Sequence, residues 1–316
     1  MFRRVMFVAL ALALLAPASA SAARPAVTTG GAANITPSTV TLNGKVDPNG
    51  RDTVYFFQIG TTRVYGSLTS ETAAGAGANP SSISVPVVGL APATVYHYRL
   101  VARNADGTTA GKDRTFKTKV QPLGVTLAAT PPAVAPGGAT TLAGQLTGTN
   151  GGGRQVVLQS NPFPYTQGFA PFGNTVVTAA DGTFTFPVLS LPVTTQFRVQ
   201  MPSRPEVVSP IVIVGAAIQV KTDTKKVKRG RHSVTVRFKG SVSPATDGAR
   251  VDIQKLRNGV WSTVAHTRSK HSSAGRSTYS LRVKLFRSGN FRVVAESASG
   301  EFVAGPGRTV DITVRR

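Results

Sequence analysis

The sequence of 316 residues contains no cysteine. Small exported domains often depend on disulfides, and thiolates are the ligands of many structural zinc sites. The absence of cysteine therefore excludes disulfides, thiolate metal sites and a cysteine-linked lipid anchor. Stability has to come from packing alone, and domains of about 100 residues can bury enough apolar surface for this.

Acidic residues are also scarce, with 13 Asp and Glu against 36 Lys and Arg, a net charge of +23. Hydrolytic sites need two close carboxylates, or a nucleophile beside a base. Most of the acids lie in predicted turns, and no Gly-x-Ser-x-Gly, His-Glu-x-x-His or glycine-rich phosphate motif occurs. We predict no catalytic residue, no cofactor and no metal site. His266 and His271 are separated by Arg268 and Lys270, whose charges disfavour a bound cation.

Long apolar runs are absent except at the start, where Arg3 and Arg4 precede an apolar segment from Val5 to Ala16. Small residues follow as far as Ala22, as at a signal-peptidase site. The apolar segment is shorter than the roughly 20 residues that span a bilayer. We predict a signal peptide over residues 1–22, no transmembrane anchor, and a secreted or extracellular protein, either free or associated with the cell surface.

The rest of the chain is rich in turn formers, with 32 glycines and 21 prolines, and shows short stretches in which apolar residues alternate with polar ones. This pattern is typical of strands with one buried face, and no helix is predicted beyond the signal peptide. We predict an all-β chain of three β-sandwich domains, at 26–119, 124–215 and 216–316, referred to below as modules one, two and three.

In module one, the alternating segments Val40–Val46 and Thr53–Ile59 flank a turn at Asp47–Gly50. Later, Leu90 lies six residues before Tyr96, and Tyr98 follows two positions on. This arrangement resembles the fibronectin type III family. The resemblance implies that Tyr96 is a corner tyrosine and that Tyr98 fills the core. The expected early tryptophan is absent, so Tyr55 or Phe57 has to supply its bulk.

Modules two and three repeat each other. One predicted strand ends in a glutamine, at Gln159 in module two and at Gln254 in module three. A later strand begins with Phe-Arg-Val, at Phe197–Val199 and at Phe291–Val293. The two copies resemble duplicated bacterial immunoglobulin-like domains. The junctions are short, at 120–124 and 215–217.

The positive charge is concentrated in module three. Residues 24–119 carry 10 basic and 5 acidic groups, residues 120–215 carry 3 and 2, and residues 216–316 carry 21 and 6. Alternation places five cations on one solvent face of module three: Lys221, Arg237, Lys239, Arg282 and Lys284. This predicted set is interpreted either as an anion-binding face or as a solvated face whose lysines resist aggregation.

A second unusual segment is the aromatic loop, Asn161–Gly173, which contains Phe163, Tyr165, Phe169 and Phe172. Such rings either form a ligand platform or cap the sandwich core.

The favoured hypothesis is a non-catalytic multi-module binding protein. Its basic module would dock on an anionic cell-wall polymer, an acidic polysaccharide or another polyanion, including lipid headgroups and nucleic acid. No defined protein partner is predicted. A ligand-free spacer and an accessory carbohydrate-binding module of an exported enzyme system remain alternatives.

Overall fold

A computed structural model describes residues 23–272 and 275–314. The predicted signal peptide, residues 1–22, lies outside the described residues. The chain divides into two compact units, one ending at Gln121 and one beginning at Pro122. Within the described ranges, regular structure consists of β-strands, and no helix is long and apolar enough to cross a membrane. The all-β prediction is confirmed.

Module one pairs two antiparallel sheets around its own core. Its strands are β1 (Ala26–Ala33), β2 (Thr39–Asp47), β3 (Thr53–Gly60), β4 (Ser67–Leu68), β5 (Thr72–Gly75), β6 (Ser81–Val88), β7 (Val95–Asn104), β8 (Gly107–Ala110) and β9 (Arg114–Lys117). One sheet has the order β1-β2-β6 and the other β4-β3-β7-β8, with β5 on β3 and β9 on β7. Strand β9 pairs with the first half of β7 and β8 pairs with its second half, so both extend the second sheet.

The corner tyrosine of module one has the predicted hydrogen bond. The hydroxyl of Tyr96 accepts from the backbone N–H of Ala91 at 2.9 Å. Tyr98 is 1% exposed and donates its hydroxyl to the carbonyl of Gly30 at 2.7 Å. Phe57 and Tyr55 are both buried, so together they fill the space of the missing tryptophan.

Module two has the same two-sheet plan. Its strands are β10 (Gly124–Val125), β11 (Ala128–Thr130), β12 (Ala133–Val134), β13 (Gly138–Thr147), β14 (Gln155–Pro162), β15 (Ala170–Pro171), β16 (Val176–Val177), β17 (Thr183–Leu191), β18 (Thr195–Met201), β19 (Arg204–Val208) and β20 (Val212–Ala216). Strand β13 pairs with β10, β11 and β17 in one sheet, and the other has the order β12-β20-β18-β14-β15.

Module three completes the second unit. Its strands are β21 (Gln219–Gly230), β22 (Ser233–Ser243), β23 (Arg250–Arg257), β24 (Val260–Arg268), β25 (Lys270–Ser272), β26 (Arg276–Leu285), β27 (Gly289–Glu296), β28 (Gly305–Pro306) and β29 (Val310–Ile312). One sheet has the order β21-β22-β26-β25 and the other β24-β23-β27-β28, with β29 on β27. Strands β22 and β26 pair antiparallel, so the alternating residues of both strands share one solvent face.

Modules two and three are joined by a buried hydrogen-bonded junction. Ala217 forms a parallel bridge with Val303, and the N–H of Thr194 donates to the carbonyl of Glu301 at 2.9 Å. Ala216 is fully buried, and the buried apolar residues of both modules form one contiguous cluster. The sequence predicted a short junction at 215–217 between two separate domains. The structure differs because β20 runs directly into module three and the turn before β28 packs against it.

Candidate functional site

The outward face of the sheet β21-β22-β26-β25 is strongly basic. Pairing register places the five predicted cations on this face together with four more. We call it the basic face: Lys221, Lys225, Lys228, Arg237, Lys239, Lys270, Arg276, Arg282 and Lys284, with Asp223 as its one acid. The side chains have a net charge of +8 and, except for half-buried Arg237, are exposed.

Like charges face each other directly across this sheet. Lys225 pairs with Arg237 on the neighbouring strand, and Arg237 pairs with Arg282 on the next. Strands lie about 4.8 Å apart, so these three cations form one short row. Like charges directly opposite each other destabilise a sheet, which makes this row a cost to folding.

Within the residues that the structure describes, the acid on the basic face is Asp223, which lies opposite Lys239. Among the described residues, no ion pair within 4.0 Å involves Asp223 or any cation of the face. On the other sheet of the module the pattern is different. There Arg250 forms a 2.9 Å ion pair with Asp252 and lies opposite Glu296.

A β-bulge in β21 explains why sequence alternation missed Lys228. Lys226 pairs with Val236, but the next paired residue is Lys228, which lies opposite Thr235. Val227 is the extra residue, and it shifts Lys228 onto the outward side. Strict alternation from Lys221 would have found Lys225 and Asp223, whereas Lys228 required knowledge of the bulge.

A shallow trough of about 670 Å³ crosses one end of the basic face. Lys221, Lys239 and Lys270 line it together with the hydroxyl-bearing residues Ser241 and Thr278. A buried tyrosine on the inner side of the sheet holds the backbone at the floor of this trough. The buried hydroxyl of Tyr279 donates to the carbonyl of Lys221 at 3.1 Å and contacts the Thr222 hydroxyl at 2.7 Å, and burial raises its pKa to about 12.

The aromatic loop does not bring its four rings to one place. Phe163 and Tyr165 pack edge to face at 5.7 Å. Phe172 packs in the same way on the fully buried Phe197, and Phe169 lies under the guanidinium of Arg198 at 4.2 Å. All four side chains are half-buried. These contacts favour a capping role, and sugar binding by the loop stays a prediction.

His266 and His271, which lie five residues apart in the sequence, lie in different sheets. His266 is on β24, whereas His271 is on β25 and its Nδ1 contacts Asp247 at 2.9 Å. Ser277 donates its hydroxyl to the same carboxylate and not to the imidazole, so these three residues lack the serine–histidine hydrogen bond of a catalytic triad. In the described part of the chain, no group of three potential ligands from His, Asp and Glu could hold a metal ion.

The fold was compared with known proteins. Neither a protein-family model nor a curated protein matches this sequence. Solved structures to which this chain is similar include the FN1-FN3 domains of chicken CNTN1, at 16% identity and a TM-score of 0.31, covering 93% of this chain and 100% of that one. A tetra-tandem repeat from the extending region of a large adhesion protein has 15% identity and a TM-score of 0.25, covering 92% and 74%. A set of titin domains has 14% identity and a TM-score of 0.31, covering 92% and 100%.

These likenesses are too low to indicate a function, and the fold rests on the chain's own features. The sheets β1-β2-β6 and β4-β3-β7-β8 and the bond from Ala91 to Tyr96 have the fibronectin type III plan. Modules two and three repeat the two-sheet plan. The chain is a fibronectin- and immunoglobulin-like repeat protein.

Proposed function

We propose that this chain is an exported, non-catalytic binding protein whose third module docks on a polyanion through the basic face. The observation that carries the proposal is the row formed by Lys225, Arg237 and Arg282, which costs stability and contains no acid. Asp223, the acid of the basic face, lies in the adjacent row opposite Lys239. A solvated face that served only solubility would keep its charges interspersed, as the other sheet of the module does. A ligand that neutralises the row would offset its repulsion.

The trough supports the same function. Lysine ammonium groups and serine and threonine hydroxyls are hydrogen-bond donors, and an anionic oxygen accepts from both. Ser241 and Thr278 lie between Lys221 and Lys270 in one cross-strand row. The residues therefore suit phosphate, sulfate or carboxylate groups repeated along a polymer.

The test compares two triple charge reversals in the chain from residue 23 onward, with heparin as a soluble polyanion. One variant changes Arg237, Lys239 and Arg282 to Glu. The matched control changes Arg257, Arg287 and Arg308, which are exposed cations outside the basic face. We expect the first variant to lose heparin binding and the control to retain most of it. Equal losses would reduce the effect to bulk charge, and no binding by the parent chain at low salt would reject the proposal.

A further inference from the structure

Two exposed apolar side chains lie on the basic face, at the end where β21 turns into β22. Phe286 is 66% exposed and follows β26, where alternation after Lys284 places it on the outward side. Val227, the bulge residue of β21, is 42% exposed. The cross-strand row of Lys228, Thr235 and Lys284 lies between the two positions.

The apolar residues are set among cations. The Nζ of Lys284 lies 5.2 Å from the centre of the Phe286 ring. Lys225 and Lys228 flank Val227 along β21. Arg229 and Arg231 continue the positive charge into the turn, and both are exposed.

This combination distinguishes among the polyanions that the basic face could bind. A soluble acidic polymer gains from the cations but gains little from an exposed phenylalanine and valine. An anionic bilayer gains from both. Its negative surface potential attracts nearby Lys and Arg side chains, and its interface accepts apolar side chains beside the headgroups.

The shape of the face agrees with a surface as the partner. Cations occur on all four strands of the sheet, in successive rows about 7 Å apart along the strands. One narrow polymer chain would meet only part of this two-dimensional array, whereas a layer of headgroups would meet all of it.

We infer that the basic face docks on an anionic lipid surface, with Phe286 and Val227 entering the headgroup region. This inference rests on the proposed function of the face and names its partner. The cations provide attraction that depends on lipid charge and salt, and the two apolar side chains provide a component that salt does not screen.

The experiment measures co-sedimentation with vesicles of phosphatidylcholine, alone or mixed with phosphatidylglycerol. The chain from residue 23 onward is used, so that the apolar run Val5–Ala16 cannot itself insert. Variants are Phe286→Ala, alone and with Val227→Thr. The matched control is Val260→Thr, an exposed apolar residue on β24 of the opposite sheet. Heparin binding of each protein is measured in parallel.

We expect binding only to vesicles that contain phosphatidylglycerol. Phe286→Ala should lower vesicle affinity about tenfold, because the ring no longer leaves water, while heparin affinity and the control remain unchanged. Heparin binding without vesicle binding would overturn the lipid inference and leave the proposed function standing, with a soluble polymer as the partner. A Phe286→Ala variant that loses affinity for both probes equally, or for neither, would also overturn it. Failure to bind either probe would reject both proposals.

Discussion

Arg198 donates from its Nε to the side-chain oxygen of Gln159 at 2.7 Å, across the strand pair β14 and β18. Its guanidinium also lies 4.2 Å from the ring centre of Phe169. The same three-part contact recurs in the other modules, at 2.6 Å and 4.8 Å for Arg99 with Gln58 and Tyr65, and at 2.9 Å and 4.4 Å for Arg292 with Gln254 and Trp261. In each module, an arginine therefore stacks on an aromatic ring and also donates a hydrogen bond to a glutamine on the neighbouring strand.

This stack predicts a stabilising role for the repeated arginine. Arg198→Ala removes a hydrogen bond and a half-buried cation–π contact, and we expect a loss of about 1–2 kcal/mol in the free energy of unfolding. Arg204→Ala, at an exposed arginine of the same module, is the control and should change stability by less than about 0.5 kcal/mol. Urea denaturation measures both. Equal effects of the two substitutions would contradict the assignment.

The hydrogen bond of the corner tyrosine in module one predicts a loss of stability when the Tyr96 hydroxyl is removed. Tyr96→Phe deletes the bond from Ala91 but leaves the stacking of the ring on Phe116, at 5.6 Å, in place. We expect a cost of about 1 kcal/mol. Leu90 is only half-buried and packs on the same core, so Leu90→Ala should cost about 2 kcal/mol, at the low end for a leucine truncation. Unchanged amide exchange in β7 of both variants would show that the corner is not stabilising.

The contacts of the Asp113 carboxylate predict that module one loses stability at low pH. It accepts from Tyr65 at 3.0 Å and contacts His97 at 2.9 Å. Burial alone would raise the pKa of Asp113, but the hydrogen bonds from His97 and Tyr65 outweigh it and hold the pKa below its usual value. A lowered folded pKa gives stability that is complete above the unfolded value, near pH 4, and is lost as pH falls through the folded pKa. The protection factors of the β7 amides, taken relative to the intrinsic exchange rate at each pH, should therefore fall below about pH 4, and less so in Asp113→Asn.

The buried junction predicts that modules two and three unfold together. Phe302 is 8% exposed and belongs to the shared apolar cluster. Phe302→Ala should lower the melting temperature seen by Trp261 fluorescence in module three and also weaken amide protection in β18 of module two. Limited proteolysis should spare residues 215–217. A separate transition for Trp261, or early cleavage at that junction, would show that the two modules are independent.

Salt dependence predicts how many cations of the basic face engage a polymer. With duplex DNA as the probe, the logarithm of affinity should fall by about 0.9 per contact for each unit rise in the logarithm of salt concentration. Five engaged cations give a slope of about 4 to 5. Replacing Arg237, Lys239 and Arg282 by Gln should reduce the slope by about 2.7, whereas neutralising Arg257, Arg287 and Arg308 should leave it nearly unchanged. A slope that is equal in both variants would contradict a defined face.

Much of the architecture follows from the sequence, because local patterns carry it. Alternation placed Val236 and Phe238 in the core and Arg237 and Lys239 on the solvent side, and the six-residue spacing from Leu90 to Tyr96 identified the corner. These features depend on a period of two and on contacts close in sequence, so a single chain reveals them.

The tertiary structure decided what depends on pairing between distant segments. The bulge at Val227 moved Lys228 onto the basic face, and strand register set Lys225, Arg237 and Arg282 in one row. Register also separated His266 from His271, and the bridge between Ala217 and Val303 joined two modules that the sequence presented as separate. A one-residue shift in register moves a side chain to the other face of a sheet, and only the partner strand fixes that register.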